Sequence, residues 1–165
     1  MKDPWTIFNY EVYMLLYPNY LSRIYDKPKD ITQRAIKNAL VESRLLHIRI
    51  LTEILLSKNK GFKDNLILEE LIDKSTQSDF LKRLIAELNS TYGNSKQENS
   101  PCWTLNKMLA HASNLRGSSY NYSKIFDNLF PIILSILREI HHLSQNIRLK
   151  EHLTFANKHF SKQNI

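Results

Sequence analysis

The segment DITQRAIKNALVESRLLHIRILTEILLS, residues 30–57, decides the fold class. Asp30 followed by Gln33 resembles a capping box, in which the carboxylate accepts an orphan backbone N–H and the amide reaches back. Ile36, Leu40, Ser43, Leu46, His47, Ile50 and Ile54 then recur at helical spacing. At about 100° per residue they form one stripe. Arg34, Lys37, Glu42, Arg49 and Glu53 fall mainly on the other side. The pattern predicts one long helix, ending between Ser57 and Gly61, that buries its stripe against other helices.

The composition agrees. The chain has 165 residues, enough for one domain with a real core. Hydrophobic residues make up 42% and charged residues 24%, which excludes wholesale disorder. There are 3 Gly and 5 Pro, where average usage gives about 11 and about 8. So few turn formers disfavour a sandwich or barrel. The lone Cys102 excludes an internal disulfide and a Cys/His zinc pattern, and it suits a reducing, cytoplasmic setting. Met1 to Tyr10 lacks the pattern of a secretory signal. The longest apolar stretch, near Leu129 to Leu137, is far short of the roughly 20 residues that span a membrane. Lys plus Arg number 23 and Asp plus Glu 16, so the net charge is 23 − 16 = +7. That is a modest bias toward an acidic partner such as RNA.

Working outward, Trp5 to Tyr20 carries Tyr10, Tyr13, Tyr17 and Tyr20 along one helical face. Pro18 predicts an end or bend there. The face reads as packing surface with wet hydroxyls, or as a stacking platform for single-stranded nucleic acid. A short helix is expected over Asp64–Asp73 and a loop over Lys74–Ser78. Asp79–Asn89 predicts a helix packing Phe80, Leu81, Leu84, Ile85 and Leu88. Residues 89–100 are rich in Asn, Ser, Lys and Gln and read as a flexible loop. Pro101 opens a helix carrying Trp103, Leu105, Met108, Leu109 and Ala112, which stops before Gly117. Asn121 caps a long helix to about Asn146, with Pro131 predicted to kink it. Ile147–Phe160 is a weaker helix or basic tail.

Two histidines stand out. His47 sits in the apolar stripe, with Ser43 one turn earlier on the same face and Arg44 at its edge. It reads as a hydrogen-bonded core histidine, or as a group lining a cleft or subunit interface. His111 lies with Lys107, four residues earlier, on the less apolar flank of its helix, and Asn106 precedes it by five. A histidine beside a cation can act as acid or base near neutrality. No glycine-rich phosphate loop or nucleophile elbow occurs. The His141-His142 pair points its rings about 100° apart on a helix, a poor chelate. His152 and His159 read as solvated, and Asp64, Glu69, Glu70 and Asp73 as helix-surface charge.

The run Asn38-Ala39-Leu40-Val41-Glu42-Ser43-Arg44-Leu45-Leu46-His47-Ile48-Arg49 resembles the second-helix pattern of small bacterial HEPN-like proteins. The run Leu105-Asn106-Lys107-Met108-Leu109-Ala110-His111-Ala112-Ser113 is similar to the segment carrying their characteristic histidine. The resemblance spans roughly Ile31 to Leu143. It implies a bundle of four or more helices, often dimeric, and in many members a metal-independent ribonuclease of a toxin or defence system. In that chemistry an Arg holds the scissile phosphate while a His, four to six residues later, moves a proton and the RNA's own 2′-hydroxyl attacks. Here His111 matches the histidine, but the Arg position falls on Asn106, with Lys107 next. Lys107 offers a point charge without a fork. Arg116 lies five residues after His111, in reverse order.

These readings give an all-α, up-and-down helical bundle in one domain, 1–165. It has an N-terminal helical segment at 1–29, a loop at 89–100 and a basic helix or tail at 148–165. The resemblance implies an RNA-directed module, with His111 as acid/base, Asn106 and Lys107 on the phosphate, Arg44 as helper, and His47, Ser43 and Arg116 on the substrate side. The alternative is a non-catalytic dimer serving as an interaction or regulatory module. No metal or cofactor is expected. The expected partners are a second copy, RNA, and a cognate antitoxin or other protein, with no membrane.

Overall fold

Asp3 and Asp30 start the first two helices by one device. The Asp3 carboxylate accepts the Thr6 N–H at 3.0 Å, with Pro4 in the first helical position. The Asp30 carboxylate accepts the Gln33 N–H at 2.8 Å, while the Gln33 amide oxygen accepts the Lys29 N–H at 3.0 Å. The predicted box is present, but its return arm lands one residue before the cap. In the computed structural model, which describes residues 3–57, 65–110 and 122–160, the elements are all helical. They are α1 (Pro4–Ile24), α2 (Ile31–Leu56), α3 (Asp79–Tyr92), α4 (Pro101–Ala110), α5 (Ser123–Ser144) and α6 (Ile147–Phe160). The protein is an all-α helical bundle.

α1 does not end at Tyr20, because Pro18 lies inside it and the helix runs on to Ile24. Proline deletes only its own N–H. The turn beyond it is anchored by buried Asn19 and by the Ser22 hydroxyl, which donates to the Asn19 carbonyl at 2.9 Å. α5 likewise continues through Pro131. The cap expected at Asn121 falls outside the described residues.

α2 is a single helix as expected, but its buried face is rotated from the predicted stripe. Leu45, Ile48, Leu51 and Leu55 are buried with His47 and Ile54, whereas Leu46 and Ile36 are exposed. The reason is that α2 is covered from several sides over its second half, by α1, α3, α4 and α5. Its first half stands clear of the core. Residues 65–78 form two 3-10 turns, Leu68–Glu70 and Lys74–Thr76, in place of the short helix and loop. Phe80, expected in the core, is exposed at the start of α3.

α1 and α2 are antiparallel, since Glu11 meets His47, Asn19 meets Arg44 and Asp26 meets Lys37. α6 runs parallel to α1, since Asn9 meets Asn146, Tyr17 meets Phe155 and Arg23 meets Phe160. α5 is the central post, with Leu129, Ile133, Ile136, Leu137 and Ile140 fully buried. The Ser78 hydroxyl ties α3 to it, donating to Glu139 at 2.5 Å and accepting the Leu81 N–H at 3.0 Å. The stretch after α3 turns at Gly93, whose φ is +70° and where a Cβ would lie 2.8 Å from the Ser100 Cβ. Ser100 closes the turn by donating to the Asn94 carbonyl and accepting the Trp103 N–H at the start of α4.

Asp30→Ala should cost about 1 kcal/mol and lower Tm by about 2–4 °C. Leu51→Ala should cost about 2–5 kcal/mol. Thermal melts check both, and an unchanged Tm for Asp30→Ala would mean that the cap contributes nothing.

Candidate functional site

α1 carries one charge between Asp3 and Arg23, and that charge is buried. It belongs to Glu11, whose Oε2 lies 2.6 Å from His47 Nδ1, with both side chains about nine-tenths covered. His47 is therefore the hydrogen-bonded helix-face histidine of the sequence reading, and Glu11 is the partner that reading lacked. The signal was present: a lone carboxylate inside an aromatic and aliphatic run. Tyr10 stands edge-on to the imidazole at 6.1 Å between centroids. Ser43, one turn before His47, has a buried hydroxyl with no hydrogen-bond partner and does not reach the imidazole.

Arg44 points elsewhere. Its Nη1 donates to Asn19 Oδ1 at 3.2 Å, and its guanidinium lies 4.7 Å from the centre of the Phe126 ring on α5. Its Nε is buried and unpartnered. Burial pushes this guanidinium below the ordinary arginine value, Asp127 partly restores it, and nearby Arg23 pushes it down again. Arg23 sits 4.6 Å from the Phe160 ring, also lowered by burial and partly restored by Asp127. Between the two cations the rings form a chain: Phe126 stacks on Phe130 at 4.6 Å, and Phe130 meets Phe160 edge-on at 5.3 Å. Two guanidiniums thus bracket three phenylalanines at one end of the bundle.

The α4 candidates are separate from this cluster. Asn106 is half-buried and donates to the Cys102 sulfur at 3.6 Å. Lys107 is exposed, its ammonium 4.8 Å from the Trp103 ring. Among the described residues, no hydrogen bond or ring contact joins either to Ser43, Arg44 or His47. His111 and Arg116 lie outside the described residues.

The tyrosine face of α1 splits. Tyr13, Tyr17 and Tyr20 turn toward α6, where Tyr17 stacks on Phe155 at 4.1 Å and Tyr20 meets His159 at 4.3 Å. His152 packs against Tyr13 and Tyr17. His152 and His159 are therefore half-buried in the α1/α6 seam, where the sequence reading left them solvated. The correction follows from α6, whose docking face a basic tail does not advertise. Where the seam opens, two adjoining clefts of 480 and 350 Å³ share Thr6, Asn9 and Arg148. Among the described residues, no group of three or more His, Cys, Asp or Glu side chains could hold a metal ion, and no helix is long and apolar enough to cross a membrane.

Glu11→Ala should destabilise the protein by about 1–3 kcal/mol, because it leaves the buried His47 Nδ1 without its hydrogen-bond partner. Glu11→Leu with His47→Leu should recover most of that loss in denaturant melts. If the double variant is no better than the single, the pair is not acting as a unit. His152 gives a pH dependence. Burial holds its imidazole below the ordinary 6.5, Glu151 raises it and Arg148 lowers it. As pH falls, the unfolded chain takes up this proton first. Stability is thus full above pH 6.5 and declines as pH drops below 6.5. His152→Gln should flatten that decline, and an identical pH profile of Tm would refute the assignment.

Comparison with known proteins finds no matching family model, no matching curated protein and no matching solved structure.

Proposed function

We propose that this chain is an HEPN-like helical module that binds RNA, with Arg44 as its central phosphate contact. The observation that carries the reading is the pairing of Arg44 with Arg23 beside the Phe126–Phe130–Phe160 chain. A guanidinium keeps its charge when buried. Leaving one partly desolvated, with a second cation near, is unfavourable unless an anion completes the site. Asp127 offsets only part of that demand at Arg44. An RNA phosphate supplies the missing charge. Arg44 also lies within the segment that resembles the HEPN second helix, and the net charge of +7 favours encounter with a polyanion.

In this reading the described residues hold RNA, and cleavage falls to His111 with the substrate's 2′-hydroxyl as nucleophile. Asn106 and Lys107 precede it in the sequence without supplying the Arg fork. The free Cys102 suits a cytoplasmic setting.

A second reading rests on the α1–α2 hairpin tip. Leu21, Ile24, Ile31 and Ile36 are all exposed there, Ile31 at 78%. Asp26, Lys27, Lys29, Asp30 and Arg34 surround them. This mixed-charge apolar tip suits a second copy of the chain or a protein partner such as an antitoxin, and it favours the interaction-module alternative.

Filter binding with single-stranded RNA at rising salt tests the first reading. Wild type should bind with a strongly salt-dependent affinity. Arg44→Ala should bind more weakly, with a slope of log K against log salt smaller by about one. Incubation with EDTA, beside His111→Ala, decides cleavage: loss of RNA that persists with EDTA and disappears in the variant marks a ribonuclease. No binding at low salt overturns the RNA reading and leaves the hairpin tip.

A further inference from the structure

We infer that the outer face of the α1–α2 hairpin docks an amphipathic helix of a protein partner, with acidic residues flanking its apolar stripe. The inference rests on the interaction reading of the hairpin tip and names its occupant. It stands apart from the RNA reading.

Among the described residues nine large hydrophobic side chains are exposed, and seven of them lie on α1 and α2. Uncovered apolar surface is thus gathered on one hairpin rather than scattered, which marks an interaction site. It is also ordered. On α1, Tyr10, Met14, Tyr17, Leu21 and Ile24 recur at spacings of 4, 3, 4 and 3. On α2, Ile36, Ala39, Ser43, Leu46 and Ile50 recur at 3, 4, 3 and 4. Those are the spacings at which helices pack knobs into holes along a seam. Tyr10, Leu21 and Ile24 are exposed on the first row, and Ile36, Ala39 and Leu46 on the second.

The two rows share one side of the hairpin. Tyr10 stands edge-on to His47, and Ser43 and Ile50 lie within about one turn of His47 on either side. Ile36, Ser43, Leu46 and Ile50 belong to the apolar stripe that the sequence of α2 carries, and the bundle turns that stripe partly out of its core. Each row runs 14 residues, 24 − 10 and 50 − 36. That is about 21 Å, the length of two heptads. A helix laid between the rows would bury both at once.

Charge selects the occupant. The acids of the tip are spent, Asp26 on Lys37 at 3.1 Å and Asp30 on the Gln33 N–H at 2.8 Å. Lys27, Lys29 and Arg34 are exposed, and no ion pair or side-chain hydrogen bond holds them among the described residues. At the far end Arg49 is already paired with Glu53 at 2.8 Å. The unspent charge on this face is therefore positive and sits at the tip. An acidic helix matches it. A second copy brings a further +7 and the same three cations, so charge works against it. A membrane would touch only the apex, leaving Tyr10 and Leu46 uncovered at the other end of the rows. RNA gains nothing from aliphatic side chains such as Leu21, Ile36 and Leu46.

Fluorescence anisotropy on the full chain tests this with a labelled peptide of about three heptads, Leu at a and d and Glu at e and g. A second peptide carries Lys in place of Glu, and a third scrambles the first. In each of the first two, like charges keep the peptide from pairing with itself. The Glu peptide should bind about 10-fold more tightly than the Lys peptide, with a preference that shrinks as salt is added. Leu21→Gln and Leu46→Gln should each weaken it by about 10-fold, with Tm and RNA affinity unchanged. Lys29→Glu with Arg34→Glu should reverse the preference between the two peptides. Equal binding of the Glu and Lys peptides, or of the scrambled one, overturns the inference. So does a stable dimer by light scattering that Leu46→Gln dissociates, which gives the face to a second copy and leaves the interaction reading standing. Sedimentation with phosphatidylserine vesicles that Ile24→Gln abolishes gives the tip to a membrane and overturns it too. A monomer that binds no peptide overturns both the inference and the interaction reading.

Discussion

The contact between Glu11 and His47 sets the register of the first two helices. A carboxylate taken out of water is tolerated only where a partner replaces the lost hydration. Sliding α1 by one turn along α2, about 5.4 Å, would leave His47 without its acceptor, and in one direction would set Glu11 beside Ile50 and Leu51. With that contact fixed, Asn19 arrives at Arg44 and Asp26 at Lys37 farther along the same antiparallel seam. The rotation of α1 follows as well. Phe8, Val12, Leu15 and Leu16 turn into the core, and Tyr13, Tyr17 and Tyr20 turn toward α6. Apolar packing supplies most of the stability, but it does not distinguish one turn of a leucine-rich face from the next. The buried polar pair does.

Helices were legible because their signals are local. A carboxylate three residues before a backbone N–H, a Pro at the start of α4 and a period of 3.6 all act within one or two turns. The face of α2 was less legible. Leu45 and Ile48 are buried and Leu46 is exposed because of where four neighbouring helices happen to lie, and that depends on contacts distant in sequence. The lone Glu11 could have been noticed, since no other charge interrupts the run from Pro4 to Ser22. The clefts at the start of α6 could not. Asn9 and Asn146 are 137 residues apart, and nothing near either marks the other. Arg148 looks like one more cation on a basic tail until α6 is laid beside α1.

The three arginines beside α1 are held in different ways. Arg23 and Arg44 lie over phenylalanine rings, which hold a planar guanidinium in place without consuming its N–H groups. A lysine has no plane to stack and would not be oriented this way. Arg148 is held by no ring or carboxylate among the described residues, so it can follow a ligand. Under the proposed reading, this division suits holding a strand, with the oriented cations and the adaptable one meeting different phosphates. Cutting a strand makes a further demand, for a proton-moving group beside the held phosphate. The imidazole three residues on from Arg44 does not meet it, because His47 is turned into the α1 seam and engaged by Glu11. Under that reading holding and cutting are separable. Under the proposed reading the first rests on α1, α2 and α6 together, and the second on His111.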